Sequence, residues 1–157
     1  HGSLMDDEAI DLMAEHGTYL VADIYDGDWI AEMGRREHWS ESSLRKNDET
    51  TQAQREGFEK AVKAGVKIAY GTDSGVYPHA FAGRQMAKMV THGMTSIQAI
   101  RSATTVSAEL LGWQDRVGSI EAGMFADLIA VDADPLEDIT ELERVTFVMK
   151  GGQVIRA

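Results

Sequence analysis

The chain has 157 residues, of which 43% are hydrophobic and 26% charged, with a formal net charge of −11 and no cysteine. That is enough apolar material for one core, and it excludes disulfides and thiolate metal sites. The negative surface argues against a nucleic-acid partner. No apolar run approaches the roughly 18 residues of a membrane span, and no basic-then-apolar leader opens the chain, so a cytoplasmic protein is expected. No internal repeat or low-complexity tract interrupts the sequence.

Met5 to His16 reads as a helix, with Asp6 or Asp7 as N-cap and Gly17 as its stop. Thr18 to Tyr25, rich in β-branched and aromatic residues, reads as a strand. Asp26 to Thr50 is long and charged, with short helical pieces expected near Trp29–Arg36 and Ser42–Lys46. Thr51 to Ala64 reads as a helix closed by Gly65, and Val66 to Tyr70 as a second strand. Ala82 to Thr91 is helical. Thr95 and Gln98 form a capping box that opens a helix reaching Leu110 and ending near Gly112. The pattern then changes. Val117–Ile120, Ala126–Val131, Val145–Met149 and Gln153–Ile155 read as short strands, with Gly151-Gly152 as a hairpin turn. The expected organisation is therefore α/β over residues 1–112, followed by a β-rich segment over 113–157.

Alternating helices and strands imply parallel strands joined by crossover helices, and ligands bind beyond the carboxyl ends of such strands. Asp73, in Gly71-Thr72-Asp73-Ser74-Gly75, lies three residues past the second strand. Position alone leaves it between a site residue and a turn residue that caps or makes an Asx-turn. His79 shares this loop and stands equally between site and structure. His16 and His92 read as surface residues at helix ends, and His38 as a residue of the charged insertion. His1 alone has no assignable role. Tyr19, Tyr25, Trp29 and Trp39 read as packing residues before pocket residues, and Asp132 to Glu143 as a solvated loop and helix start. There is no H-x-H, H-E-x-x-H, G-x-S-x-G, G-x-G-x-x-G or P-loop.

Five segments in this order carry a resemblance: HGSLMDDEAIDLMAEHGTYLV, AVKAGVKIAYGTDSGVYPH, AIRSATTVSAELLG, VGSIEAGMFADLIAVDADPLEDI and VMKGGQVIRA. They resemble the C-terminal part of the amidohydrolase superfamily of metal-dependent hydrolases, in its imidazolonepropionase-like and Xaa-Pro dipeptidase-like branch. The resemblance implies the last part of a (β/α)8 TIM-like barrel, with Thr18–Tyr25 as strand seven and Val66–Tyr70 as strand eight. The tail from about Val117 would be this chain's share of a composite β-sandwich. His1 matches the strand-six metal ligand, and Asp73 the strand-eight aspartate that binds metal and takes a proton from the attacking water. His79 matches the histidine of a Pro-His-Gly motif on the substrate side, and Tyr25 is a further substrate-side residue. The glycine and polar positions that follow His79 in the family are changed here to Ala80, Phe81 and Ala82, so the loop's shape differs from the family's pattern.

The implied cofactor is zinc, two ions in the complete enzyme, with other divalent metals compatible. The implied substrate is a small dipeptide or another amide, with a cyclic amide of the imidazolonepropionase type as the alternative. The family's H-x-H, lysine and strand-five histidine have no counterpart in these residues. The resemblance thus implies that the chain is inactive alone and pairs with a missing N-terminal barrel half or with its own copies. A catalytically incomplete assembly module is the reading from another functional class.

Overall fold

The computed structural model describes all residues from His1 to Ala157. Helix α1 (Asp7–His16) starts where the Asp6 side chain accepts a hydrogen bond from the Ala9 amide at 2.8 Å, and stops at Gly17 with φ of 64°. Strand β1 (Tyr19–Ala22) follows. It pairs in parallel with β2 (Lys67–Tyr70), in a register that sets Leu20 beside Ile68 and Ala22 beside Tyr70. Both strands are shorter than expected: the parallel pairing ends at Ala22 and Tyr70, which leaves residues 23–25 to turn into the next helix.

The connection between the strands is more helical than its composition suggests. Instead of short pieces and a separate helix from Thr51, it forms α2 (Asp26–Arg36) and one continuous α3 (Glu41–Ala64) of 24 residues. Ser40 caps α3 by accepting from the Ser43 amide at 3.2 Å, and no glycine or proline interrupts the chain before Gly57. The charged stretch was misleading because most of it faces solvent; burial on α3 is confined to Gln54, Gly57, Phe58 and Ala61. Close approach of α2 and α3 depends on Gly27, where a Cβ would lie 2.0 Å from the Thr51 hydroxyl oxygen. Arg55 then ties the layer together, donating to the Ile24 carbonyl at 3.0 Å and pairing with Asp28 at 2.7 Å.

After β2 come a short 3₁₀ turn (His79–Phe81), α4 (Arg84–Thr91), α5 (Ser96–Ala103) and α6 (Thr105–Leu110). The expected capping box is formed by Thr95 and Gln98. The single helix expected from Ser96 to Leu110 is broken at Thr104, with φ −122° and ψ −94°. The break lets the Ser107 hydroxyl donate to the Ser102 carbonyl at 2.6 Å while accepting the Tyr70 amide at 3.2 Å. A strand donor is thereby satisfied by a helix side chain.

The tail forms an antiparallel sheet of β3 (Leu128–Ala130), β4 (Phe147–Lys150) and β5 (Gln153–Arg156). Gly151 and Gly152 make the expected tight turn, both at positive φ (56° and 78°), which only glycine adopts freely. Asp127 pins that turn by accepting from the Gly151 amide at 2.6 Å. Val117–Ile120 is not a strand. Gly118 instead packs so tightly on α6 that a Cβ would come within 2.9 Å of the Thr104 carbonyl oxygen. No helix is long and apolar enough to cross a membrane.

The core unites Ile10, Leu20, Ile24, Phe58, Ile68, Met89 and their neighbours between the two parallel strands and the helices. Within it lies one fully buried amide, Gln85 of α4. Its nitrogen donates to the carbonyls of Ala22 (2.6 Å) and Gly71 (2.8 Å), and its oxygen accepts the Tyr25 amide (2.9 Å). Replacing Gln85 by Met keeps the volume but strands two carbonyls and one amide; each buried orphan costs about 1–3 kcal/mol. The expected loss is about 3 kcal/mol of unfolding free energy, read as a lower urea midpoint of the full-length protein; a change below 1 kcal/mol (roughly, on the same scale) contradicts the clamp.

Candidate metal centre

Because β1 and β2 are parallel, their carboxyl ends emerge side by side, and each is followed by an aspartate: Asp23 directly after β1, and Asp73 three residues after β2. His1 completes the group. One ligand atom from each of His1, Asp23 and Asp73 falls within 4.8 Å of the others. Asp73 and His1, drawn separately from the sequence, are thus brought together. Asp23 is an addition that the sequence reading missed.

In the loop around Asp73 the backbone turns, but the carboxylate caps no helix and makes no Asx-turn. The loop's hydrogen bonds run from the Ser74 amide to the Thr72 hydroxyl (3.3 Å), from the Val76 amide to the Asp73 carbonyl (3.2 Å) and from the Gly75 amide to the Tyr77 carbonyl (3.3 Å). None uses the Asp73 carboxylate. The residue adopts φ of 45°, a left-handed conformation uncommon outside glycine that aspartate tolerates better than most. Its carboxylate is left exposed beside His1.

Asp23 is held differently. It is only 4% exposed, and both carboxylate oxygens are engaged: one accepts from His1 Nδ1 at 2.6 Å, the other from Gln54 Nε2 at 3.0 Å. This contact raises the pKa of the His1 imidazole; the Asp23 hydrogen bond and charge are the main causes, with Asp73 and Asp26 adding to them. Asp26, in the next helix, is shifted as well. Burial first, then the charges of Asp23 and Asp73, push its carboxyl up to about 6, against the opposing hydrogen bond from the Gly27 amide.

The remaining candidates are not among these three clustered residues. His79 opens the 3₁₀ turn and is exposed. Tyr25 is buried, its ring edge-on to Tyr77 at 5.0 Å and its hydroxyl accepting from Arg84 Nη1 at 2.9 Å. His16 ends α1, His38 lies beyond α2 at φ 55°, and His92 caps α4 while facing Glu59 at 2.9 Å. Trp29 packs on Phe81 at 5.3 Å. Asp23 had a legible signal, since it follows a β-branched run as Asp73 does. Gln54 had none; it is one polar residue on a polar helix.

An imidazole nitrogen with carboxylate oxygens, crowded in an acidic setting, is a donor set that suits a divalent metal such as zinc. His1 and Asp73 each have ligand capacity unspent within the chain, so the residues fit such an ion. They do not complete the usual set of four ligands.

The amidohydrolase family profile matches residues 1–155. Ochratoxinase from Aspergillus niger is 33% identical over 168 aligned residues, which cover 99% of this chain and 33% of that protein. A crystal structure of a Xaa-Pro dipeptidase with methionine bound in its active site superposes with a TM-score of 0.91 at 43% identity, covering 100% of this chain and 39% of that one. A prolidase complexed with N-methylphosphonate-L-proline gives 0.82 at 33% identity, over 99% of this chain and 39% of that one. The chain belongs to the amidohydrolase family. It spans a third or slightly more of the length of these relatives.

The Asp26 carboxyl gives a pH signature. Its unfolded value is 3.8 and its folded value about 6, so between them the folded state holds a proton that the unfolded state has lost. Stability therefore falls as pH rises across that interval and levels off above it. Asp26→Asn is expected to flatten this slope in metal-stripped protein and to add about 1 kcal/mol at neutral pH, a figure reduced for the partial exposure of the carboxyl. The check is urea unfolding at several pH values; an unchanged slope contradicts the assignment.

Proposed function

We propose that these residues are the C-terminal part of a zinc-dependent amidohydrolase that cleaves the amide bond of small dipeptides, of the Xaa-Pro type. The observation that carries this reading is the convergence of His1 and Asp73 at the carboxyl edge of a parallel strand pair. In this reading β1 and β2 are strands seven and eight of a (β/α)8 barrel. Residues 113–157 are this chain's share of a β-sandwich. The substrate class draws support from the similarity to a Xaa-Pro dipeptidase and to a prolidase complexed with a proline-containing phosphonate, over essentially the whole chain.

His1 and Asp73 would hold the metal, two ions being expected in the complete enzyme. A bound metal of this kind supplies Lewis acidity toward the carbonyl and the attacking water. Asp73 can take the proton of that water, because its carboxylate is free of other hydrogen bonds in the loop. The same carboxylate can then return the proton to the departing amine. Tyr25 and His79 are proposed on the substrate side, Tyr25 through its place beside Arg84 and His79 through its exposed position after the Asp73 loop.

The rest of the ligand set and of the barrel belongs, in this reading, to residues outside the chain. Leu111, Ile120, Phe125 and Ile129 stand exposed, and an adjoining part of the protein would cover them.

The test is hydrolysis of a panel of Xaa-Pro dipeptides and cyclic amides by the full-length protein loaded with zinc. Dipeptide cleavage is expected, with Asp73→Asn lowering kcat by about 10³-fold while leaving the unfolding midpoint near wild type. Residues 1–157 alone are expected to show no turnover. Cleavage of cyclic amides only overturns the substrate class; undiminished activity of Asp73→Asn overturns the mechanism.

A further inference from the structure

Asp23 is the most buried charge at the site, and the ligand assignment above leaves it without a role. Its two oxygens are taken by His1 Nδ1 and Gln54 Nε2 (2.6 and 3.0 Å), and Gln54 is itself buried, with Ser3 at its side. A carboxylate can only accept, so at this distance the proton lies on His1 Nδ1. The other ring nitrogen, Nε2, is then the free lone pair. We propose that Asp23, oriented by Gln54 of α3, is a positioning residue that fixes the tautomer of His1 and turns its Nε2 outward as a metal ligand. Carboxylate partners of this kind also raise the basicity of a ligating imidazole. The proposal rests on the reading of His1 as a metal ligand.

The chain of acceptors and donors makes a specific prediction. In Asp23→Asn the Gln54 amide still donates to Oδ1, so the new NH₂ group faces His1 Nδ1 as a donor. That selects the opposite tautomer, with the proton on Nε2 and no lone pair for the metal. Adding Gln54→Glu reverses the polarity. The carboxylate introduced at position 54 accepts from the NH₂ group introduced at position 23. The amide oxygen at position 23 then turns back to accept from His1 Nδ1. The negative charge moves by one side chain and is not lost.

The experiment is zinc titration of the full-length, metal-stripped protein against a chromophoric chelator, with ¹⁵N spectra of histidine-labelled protein at alkaline pH reporting the tautomer. Asp23→Asn is expected to weaken one zinc site roughly 10- to 100-fold and to shift the His1 signal to the Nε2–H form. The double variant Asp23→Asn, Gln54→Glu is expected to recover most of the affinity and the original tautomer. A loss with no recovery in the double variant overturns the proposal, because Asp23 then holds the metal itself. Unchanged affinity in Asp23→Asn overturns it too. The His1→Ala variant separates the two readings: if zinc binding survives it, His1 is not a ligand; if binding falls there but not in Asp23→Asn, only the positioning role fails.

Discussion

The Gln85 amide is the constraint on which the site depends. A two-stranded parallel pair is weak by itself, and its carboxyl ends fray where the ladder stops. Gln85 reaches from α4 into that gap and bonds the last carbonyl of β1, the first carbonyl after β2 and the Tyr25 amide. Ala22 and Tyr25 bracket Asp23 in the chain, and Gly71 precedes Asp73 by two residues. The spacing of the two aspartates is therefore set by a buried side chain that bonds to neither. A neutral amide suits this task because it matches two acceptors and one donor at once; no apolar residue of the same size can.

On this scaffold the electrostatics are unfavourable without a cation. Asp23, Asp26 and Asp73 are gathered around one imidazole, and burial, with the charges of Asp23 and Asp73 added to it, pushes the Asp26 carboxyl up to about 6. Like charges held this close repel, and each disfavours the ionised form of its neighbours. A divalent ion among them would reverse the balance. Asp23 is the exception that defines the arrangement: its charge is already matched by His1 and Gln54, while the Asp73 carboxylate makes no hydrogen bond within its own loop. Equivalent chemistry at two strand ends thus divides into a buried carboxylate and an open one.

What could be read in the sequence follows from where each signal is written. Gly17, Gly65 and the Gly151-Gly152 pair mark stops and turns locally, and the Thr95–Gln98 box marks a helix start locally, so all were legible. Asp73 was legible as a position, and its chemistry came from the resemblance. The continuity of α3 was not, because its outer face carries the composition of a loop. The break at Thr104 was not either, since it answers to Tyr70 and Gly118, both distant in sequence. Asp23 follows a strand as Asp73 does, which is a local signal, but its partner Gln54 became visible only in three dimensions: the hydrogen bond between them crosses 31 residues, and nothing local announces it.

The distribution of burial bears on why the site lies where it does. The apolar residues that pack together sit between the strand pair and its helices, whereas Val21 on the opposite side of β1 is exposed, as are Leu111, Ile120, Phe125 and Ile129 around the antiparallel segment. A strand with one buried and one bare face is half of an interface. His1 is exposed too, and its side-chain hydrogen bond within the chain is the contact with Asp23. If the cover for these apolar faces and the remaining metal ligands come from one adjoining part of the protein, as proposed above, closure of the fold and closure of the coordination sphere would be coupled steps.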